Sequence, residues 1–247
     1  MKEGRCIDII IPVYNESANI YSALKLIKEK VEVPYNLFLI YDFEKDNTLP
    51  VAHSASQELA MEIDFIKNNQ GTKIGVLNAI KTGLKASISP YAVVTMADLS
   101  DPPEVINSMY KKAIENNYDL VCGSRYMKGG KQIGGPLLKR NLSRLAGVSL
   151  RYLIRFPTHD VTNSFKLYGQ KLLKSIELES KGGFEVGMEI AVKAYVAGFS
   201  ISEVPTAWWD RTNGASRFLL FRWLPRYLKW YLWAILKTVK KINRTSQ

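Results

Sequence analysis

At 247 residues, 47% hydrophobic and 23% charged, the chain has the composition of an ordinary globular protein and the length of one domain or a domain with an extension. Its formal net charge of +11 is concentrated: Leu120 to His159 holds eight Lys/Arg, Arg211 to Gln247 holds nine, and neither contains Asp or Glu. Half of the 34 basic residues therefore lie in two acid-free stretches that seek phosphate, nucleic acid or an anionic membrane, while the rest of the chain is net acidic.

In chain order, Cys6 to Val13 reads as a buried strand ended by Pro12, and Ser17 to Glu32 carries Ile20, Ala23, Leu24 and Ile27 at helical spacing. That first apolar run contains Asp8 and is too short and too polar for a signal-peptide core. Asn36 to Tyr41 is a second strand ending at Asp42, Leu49 to Met61 a helix, and Ile63 to Ile66 a short strand. Gly71 to Ser87 gives a glycine-rich turn and a helix, and Tyr91 to Thr95 a fourth strand. This alternation argues for a parallel, doubly wound sheet. Beyond it, Asp119 to Gly123 reads as a strand, Gly129 to Gly135 as a loop, Leu138 to Ile154 as a helix, and Asn163 to Tyr168 as a strand. Glu185 to Ala197 reads as a helix and Ile201 to Pro205 as a strand. Cys6 and Cys122 lack C-x-x-C or Cys/His spacing and are expected to be reduced and buried.

The tail from residue 219 to 247 is expected to be an amphipathic helix starting at Pro225. At about 100° per residue, Arg222, Arg226, Lys229, Lys237, Lys240 and Arg244 share an arc opposite Leu224, Leu228, Tyr231, Ile235 and Ile242. Trp223, Trp230 and Trp233 flank the boundary. Such a helix suits a membrane interface, or its own core with a solvated basic face. No stretch reaches the ~18 uninterrupted apolar residues of a membrane span. The expected location is cytoplasmic, peripheral to the inner face of a membrane.

Three stretches carry chemistry. The first strand lacks the G-x-G-x-x-G of a dinucleotide fold and exits through Pro12-Val13-Tyr14-Asn15-Glu16-Ser17, whose ring and acid suit a base, although Asn15 or Ser17 also suits a helix cap. The fourth strand stops at Met96-Ala97-Asp98-Leu99-Ser100-Asp101-Pro102-Pro103. Two carboxylates at a strand's end suit a hard divalent cation, or an Asx-turn leading into a helix. Gly71 to Gly75 lacks phosphate-loop spacing, and His159 adjoins Asp160, either to orient it or, as is commoner for a lone His-Asp pair, in a structural role.

Pro12-x-Tyr14-Asn15-Glu16, Asp42, the Asp98 stretch and Gly123-Ser124-Arg125-Tyr126, in that order, resemble the family-2 glycosyltransferases. Within them the likeness is to the polyprenyl-phosphate sugar transferases typified by dolichol-phosphate mannose synthase, and it covers about Ile7 to Phe218. The resemblance implies a GT-A-type, Rossmann-like, mostly parallel α/β sheet flanked by helices over residues 1–218. It implies inverting transfer of a hexose from a GDP- or UDP-sugar to polyprenyl or dolichyl phosphate. Pro12, Tyr14, Glu16 and Asp42 would line the nucleotide pocket, and Arg211 and Arg217 would clamp the diphosphate. Arg125 and Arg140 would face the acceptor phosphate or donor diphosphate, and Asp160 would lie near the acceptor. Asp98 matches the second acid of the family's D-x-D.

This sequence departs from the pattern at Tyr41, where the family has an acid, at Met96, where its first metal ligand stands, and at Ser100, often Gln. A magnesium or manganese ion would then either be shared by Asp98, Asp101 and the donor's phosphates, the favoured reading because Asp101 supplies the lost charge nearby, or be bound weakly. A phosphate acceptor is already anionic and needs no strong base. A glycan hydroxyl needs one, for which Asp160 is the candidate, with Glu185 or Glu189 behind it. A silent nucleotide-binding relative and a basic nucleic-acid binder are the remaining alternatives; no recognition-helix or RNP signature supports the latter.

Overall fold

The computed structural model describes residues 4–68, 75–210 and 220–245. The first half alternates β1 (Ile7–Pro12), α1 (Ile20–Lys30), β2 (Tyr35–Tyr41), α2 (Thr48–Glu58), β3 (Asp64–Lys67), α3 (Val76–Ala86), β4 (Tyr91–Val94), α4 (Val105–Asn116) and β5 (Leu120–Ser124). Then follow β6 (Lys131–Ile133), α5 (Leu137–Ile154), β7 (Lys166–Gly169), α6 (Gln170–Ser175), α7 (Val186–Ala197), β8 (Ile201–Pro205), β9 (Ala207–Trp209) and α8 (Leu220–Thr245).

The main sheet has the order β3-β2-β1-β4-β7-β5-β8. It is parallel except at β7, which runs antiparallel to β4 and β5. Strict alternation would make β7 parallel. Here α5 stays at the C-terminal rim instead of crossing back, so the chain re-enters the sheet from that rim and must run the other way. The expected loop at 129–135 contains β6, which pairs with β9 in a separate two-stranded ribbon. Three residues carry no periodic signal of their own, and the pairing comes from a distant segment.

Side-chain alternation divides the core. Ile7, Ile9 and Ile11 point with Leu37 and Leu39 toward α1, α2 and α4, whereas Ile10 and Ile40 point toward α3 and α7. Both faces are covered, which is why β1 is buried throughout.

Asp8 is the polar exception. Its carboxylate is fully buried and accepts from Asn36 Nδ2 (2.7 Å), Ser87 Oγ (2.8 Å), Ile88 N (2.7 Å), Ser89 N (2.8 Å) and Ser89 Oγ (2.6 Å). It thereby staples the turn between α3 and β4 to the start of β1. Burial alone would raise its pKa, but the hydrogen bonds from Ser89, Asn36 and Ser87 outweigh it and hold the group below the ordinary 3.8. Asp8→Ala should cost about 3 kcal/mol or more in a denaturant titration, because the buried donors lose their acceptor. A depressed pKa contributes stability above the unfolded carboxylate value and loses it as pH falls through the folded one. The gap between variant and wild type should therefore close in acid.

Helix α8 begins at Leu220, five residues before Pro225, which lies inside it. Proline removes one amide donor close to the helix start, where few of the intrahelical bonds have yet formed. Its apolar residues divide into two stripes rather than one. Trp230, Ala234 and Thr238 are buried, and Trp230 and Ala234 join the core beside α7. Leu224, Leu228, Leu232 and Leu236 are exposed. Trp230 is thus the centre of the buried face, not a boundary residue, and its Nε1 donates to Ser180 Oγ (3.1 Å). At Gly183 any side chain would collide with the Trp223 ring, so that turn and α8 meet without a spacer.

Candidate active site

The C-terminal ends of the strands converge on one cleft of ≈ 1110 Å³. Pro12, Tyr14, Glu16, Asp42, Asp98, Asp101 and Arg125 all line it. Asp160 lies directly behind Arg125, fully buried. Arg140 is not among the lining residues; its neighbour Lys139 is, with its ammonium 5.8 Å from the Trp208 ring centroid. Arg211 and Arg217, with the glycine-rich stretches at 71–74 and 214–216, lie outside the described residues.

The exits of β1 and β2 are stitched together. Asp46, buried and unflagged by its sequence context, accepts from Asn15 N (3.1 Å to either oxygen) and Thr48 N (2.8 Å), and Thr48 Oγ1 accepts from Glu16 N (2.8 Å). Asn15 adopts a left-handed conformation at φ 54, and α1 has no side-chain cap, so neither Asn15 nor Ser17 caps it. The Tyr14 ring meets Phe43 edge-on at 5.5 Å, and Asn68 Nδ2 donates to Asp42 Oδ1 (2.7 Å). A ring and two braced carboxylates thus stand at one end of the cleft.

At the end of β4 the Asx-turn and the acidic station coexist. Ser100 N donates to Asp98 Oδ1 (3.1 Å), Leu99 takes φ 57, and Trp209 N donates to Ser100 O (3.0 Å). A left-handed leucine costs of order 1–3 kcal/mol, strain that concentrates at functional loops. Burial raises the Asp101 pKa to about 7, although Asn163 Nδ2 donates to its Oδ1 (3.2 Å) and the Arg125 charge favours ionisation. Carboxylate oxygens are of the hard donor type that Mg²⁺ or Mn²⁺ takes. Among the described residues no group of three or more His, Cys, Asp or Glu gathers for a metal.

Asp160 is committed to Arg125. Its carboxylate accepts from Arg125 Nε (2.6 Å), Nη2 (2.8 Å) and backbone N (3.1 Å), from Thr162 Oγ1 (3.2 Å) and from Asn163 N (3.2 Å). Burial opposes its charge, but Arg125 outweighs burial and holds its pKa below the ordinary value. In return Arg125 stays protonated. Of the two readings of His159 the structural one holds: its Nδ1 pairs with Glu203 (2.5 Å), which also accepts from His159 N (2.8 Å). Glu189 accepts from Ser180 N (2.9 Å) and pairs with Lys193 (2.8 Å), and Glu185 accepts from Gly183 N (2.7 Å). Both acids brace the turn against which α8 packs.

Lys166 closes the Asp160–Lys166 stretch that the resemblance places near the acceptor; its fully buried amine donates to the carbonyls of Val161 (3.2 Å) and Asn163 and ties down the loop after Asp160. Trp208 and Tyr227 in the cleft wall carry no signal in the sequence, and Trp223, read there as a boundary residue of the tail helix, also lines the cleft. Only their proximity to the quoted motifs could have marked them.

The family model described as Glycosyl transferase family 2 matches residues 8–177. The chain belongs to that family. It is 28% identical over 235 residues to a dolichol-phosphate mannosyltransferase of Pyrococcus furiosus, covering 91% of this chain and 64% of that one. It is 28% identical over 217 residues to a polyprenol monophosphomannose synthase of Mycolicibacterium smegmatis, covering 85% of this chain and 79% of that one. The chain thus spans a little under two thirds of the Pyrococcus relative. Among solved structures, glucosyl-3-phosphoglycerate synthase of Mycobacterium tuberculosis with UDP superposes at TM-score 0.69, with 17% identity over 95% of this chain and 81% of that one. The same enzyme with Mn²⁺, UDP-glucose and phosphoglyceric acid gives 0.67 at 16% identity, with the same coverage. These structures share the mostly parallel sheet and its flanking helices.

Proposed function

We propose that this family-2 glycosyltransferase moves a hexose, with inversion, from a GDP- or UDP-sugar to polyprenyl or dolichyl phosphate. The observation that carries the choice of acceptor is the saturated carboxylate of Asp160. It accepts five hydrogen bonds and no solvent reaches it. It is therefore not placed to remove a proton from a glycan hydroxyl, whereas a phosphate oxygen arrives already anionic. The names of the two relatives support the same acceptor class.

Tyr14, Glu16 and Asp42 receive the nucleotide. Asp98 and Asp101 hold Mg²⁺ or Mn²⁺ against the diphosphate, where the cation would offset charge on the leaving group. Arg125 faces the acceptor phosphate. Its Nε and Nη2 are fixed by Asp160, and its Nη1 makes no hydrogen bond among the described residues, so a donor edge remains for a phosphate oxygen. Arg211 and Arg217 add charge on the diphosphate side.

The chain meets the bilayer through α5 and α8. Neither helix contains Asp or Glu. Leu137, Leu138 and Leu145 on α5 and Leu224, Leu228, Leu232 and Leu236 on α8 are exposed, and several of them line the outer end of the cleft. No helix among the described residues is long and apolar enough to cross a membrane. Leu138→Asp or Leu232→Asp should reduce co-sedimentation with anionic vesicles by about tenfold, the scale of one buried leucine. Unchanged binding in both would remove the platform.

A thermal-shift screen of GDP- and UDP-hexoses with Mg²⁺ or Mn²⁺ tests the donor side. A matching donor at 100 times its Kd should stabilise the fold by about 2.7 kcal/mol. The reading fails if no nucleotide-sugar shifts the transition.

A further inference from the structure

Helix α5 is anchored at one end only. Gly147, Leu150 and Ile154 are buried, whereas none of residues 137–146 is. Yet this unburied half forms a wall of the cleft, through Lys139, Leu142, Ser143, Leu145 and Ala146. The boundary between the halves is sharp. A methyl group at Gly147 would collide with the His159 carbonyl oxygen, and the His159 backbone is itself held by Glu203 (2.8 Å). The helix is therefore seated at Gly147 and overhangs the cleft before it.

Ser143 ties the overhang to the ion pair. Arg125 Nη2 donates to Ser143 Oγ (2.9 Å) and Thr162 Oγ1 (3.1 Å), and the two hydroxyls also bond to each other. The direction of this chain follows from charge. Ionised Asp160 can only accept, so Thr162 donates to it, and Ser143 donates to Thr162 in turn. Each hydroxyl thus accepts from the guanidinium and passes its own proton toward the carboxylate. Elsewhere on the overhang, Tyr126 Oη donates its one proton to Gln132 Oε1 (2.7 Å) and only approaches the Arg140 carbonyl oxygen (3.3 Å), a longer and neutral contact.

We infer that Ser143 is a positioning residue for the acceptor: through Arg125 and Thr162 it fixes the cleft-facing half of α5 relative to the guanidinium that faces the acceptor phosphate. The inference rests on the phosphate-acceptor reading above. Because residues 137–146 are exposed or only half-buried and add none to the fully buried core, the role is separable from global stability. The acceptor meets a wall held by one charge-assisted bond, and loosening that wall should weaken acceptor binding without touching the nucleotide end.

The test compares wild type, Ser143→Ala and Ser143→Thr. In Ser143→Ala, amide hydrogen exchange over residues 137–146 should rise about tenfold, the size of one charge-assisted hydrogen bond, while exchange over 147–154 and the unfolding midpoint stay unchanged. KM for polyprenyl phosphate should rise about tenfold with KM for the nucleotide-sugar unchanged. Ser143→Thr, which keeps the hydroxyl, should restore both. Unchanged exchange would overturn the latch, and faster exchange with an unchanged acceptor KM would overturn its role in positioning. A wild-type protein inactive on polyprenyl phosphate would overturn the acceptor assignment instead, leaving the exchange comparison to decide the latch.

Discussion

Asp160→Ala is expected to destabilise the fold by about 3–5 kcal/mol, because it strands a charged guanidinium that is itself buried. The pair is bidentate, with Nε at 2.6 Å and Nη2 at 2.8 Å, and Arg125 cannot shed its proton to escape the penalty. Asp160→Asn should spare more of the fold and still lower transfer by about 10²-fold, since an amide cannot accept from both Nε and Nη2 as a carboxylate does. Its residual kcat/KM should keep the shape of the wild-type pH profile near neutrality, because the Asp160 pKa is held below the ordinary carboxylate range. A general base would instead take a limb of the profile with it. The sign of the stability effect is fixed too. A depressed folded pKa contributes above the unfolded value of ~3.9 and is lost as pH falls through the folded one, so acid should close the gap between wild type and variant.

Asp98→Ala should reduce kcat by about 10²-fold or more, because the diphosphate leaving group would lose its principal counter-charge. The informative companion is Met96→Asp. Met96 lines the cleft two residues before Asp98 and packs partly buried against the core. A carboxylate there would supply the acid that this sequence lacks. Met96→Asp should lower the Mn²⁺ concentration giving half-maximal activity and increase the thermal shift produced by Mn²⁺ alone. If Asp98→Ala is fully active, or if Met96→Asp leaves metal dependence untouched, the cation does not sit at the end of β4.

Much of the frame is readable from residues alone. The Ile-rich first strand, the apolar run ending at Asp42 and the run ending at Asp98 all have periods that local chemistry sets, and their ends converge because parallel strands share a rim. Direction and partnership are less local. The short apolar run that became β7 looks the same in either orientation, and only the position of α5 at the rim decides it. The apolar arc of α8 gave one face where the folded chain uses two, since periodicity counts hydrophobic residues without saying what will cover each. Adjacency in sequence offered His159 as one partner for Asp160 and left it undecided, whereas the partner is Arg125, brought in by β5. Asp8 and Asp46, which accept the donors of whole turns, look in sequence like ordinary acids.

The most direct test is to give purified protein, in vesicles, its labelled nucleotide-sugar with either polyprenyl phosphate or the unphosphorylated polyprenol. The mechanism built on a base-free acceptor end predicts label on the phosphate and none on the alcohol. Comparable labelling of the alcohol would contradict it, since a hydroxyl acceptor requires the base that Asp160, held by Arg125, is not free to be.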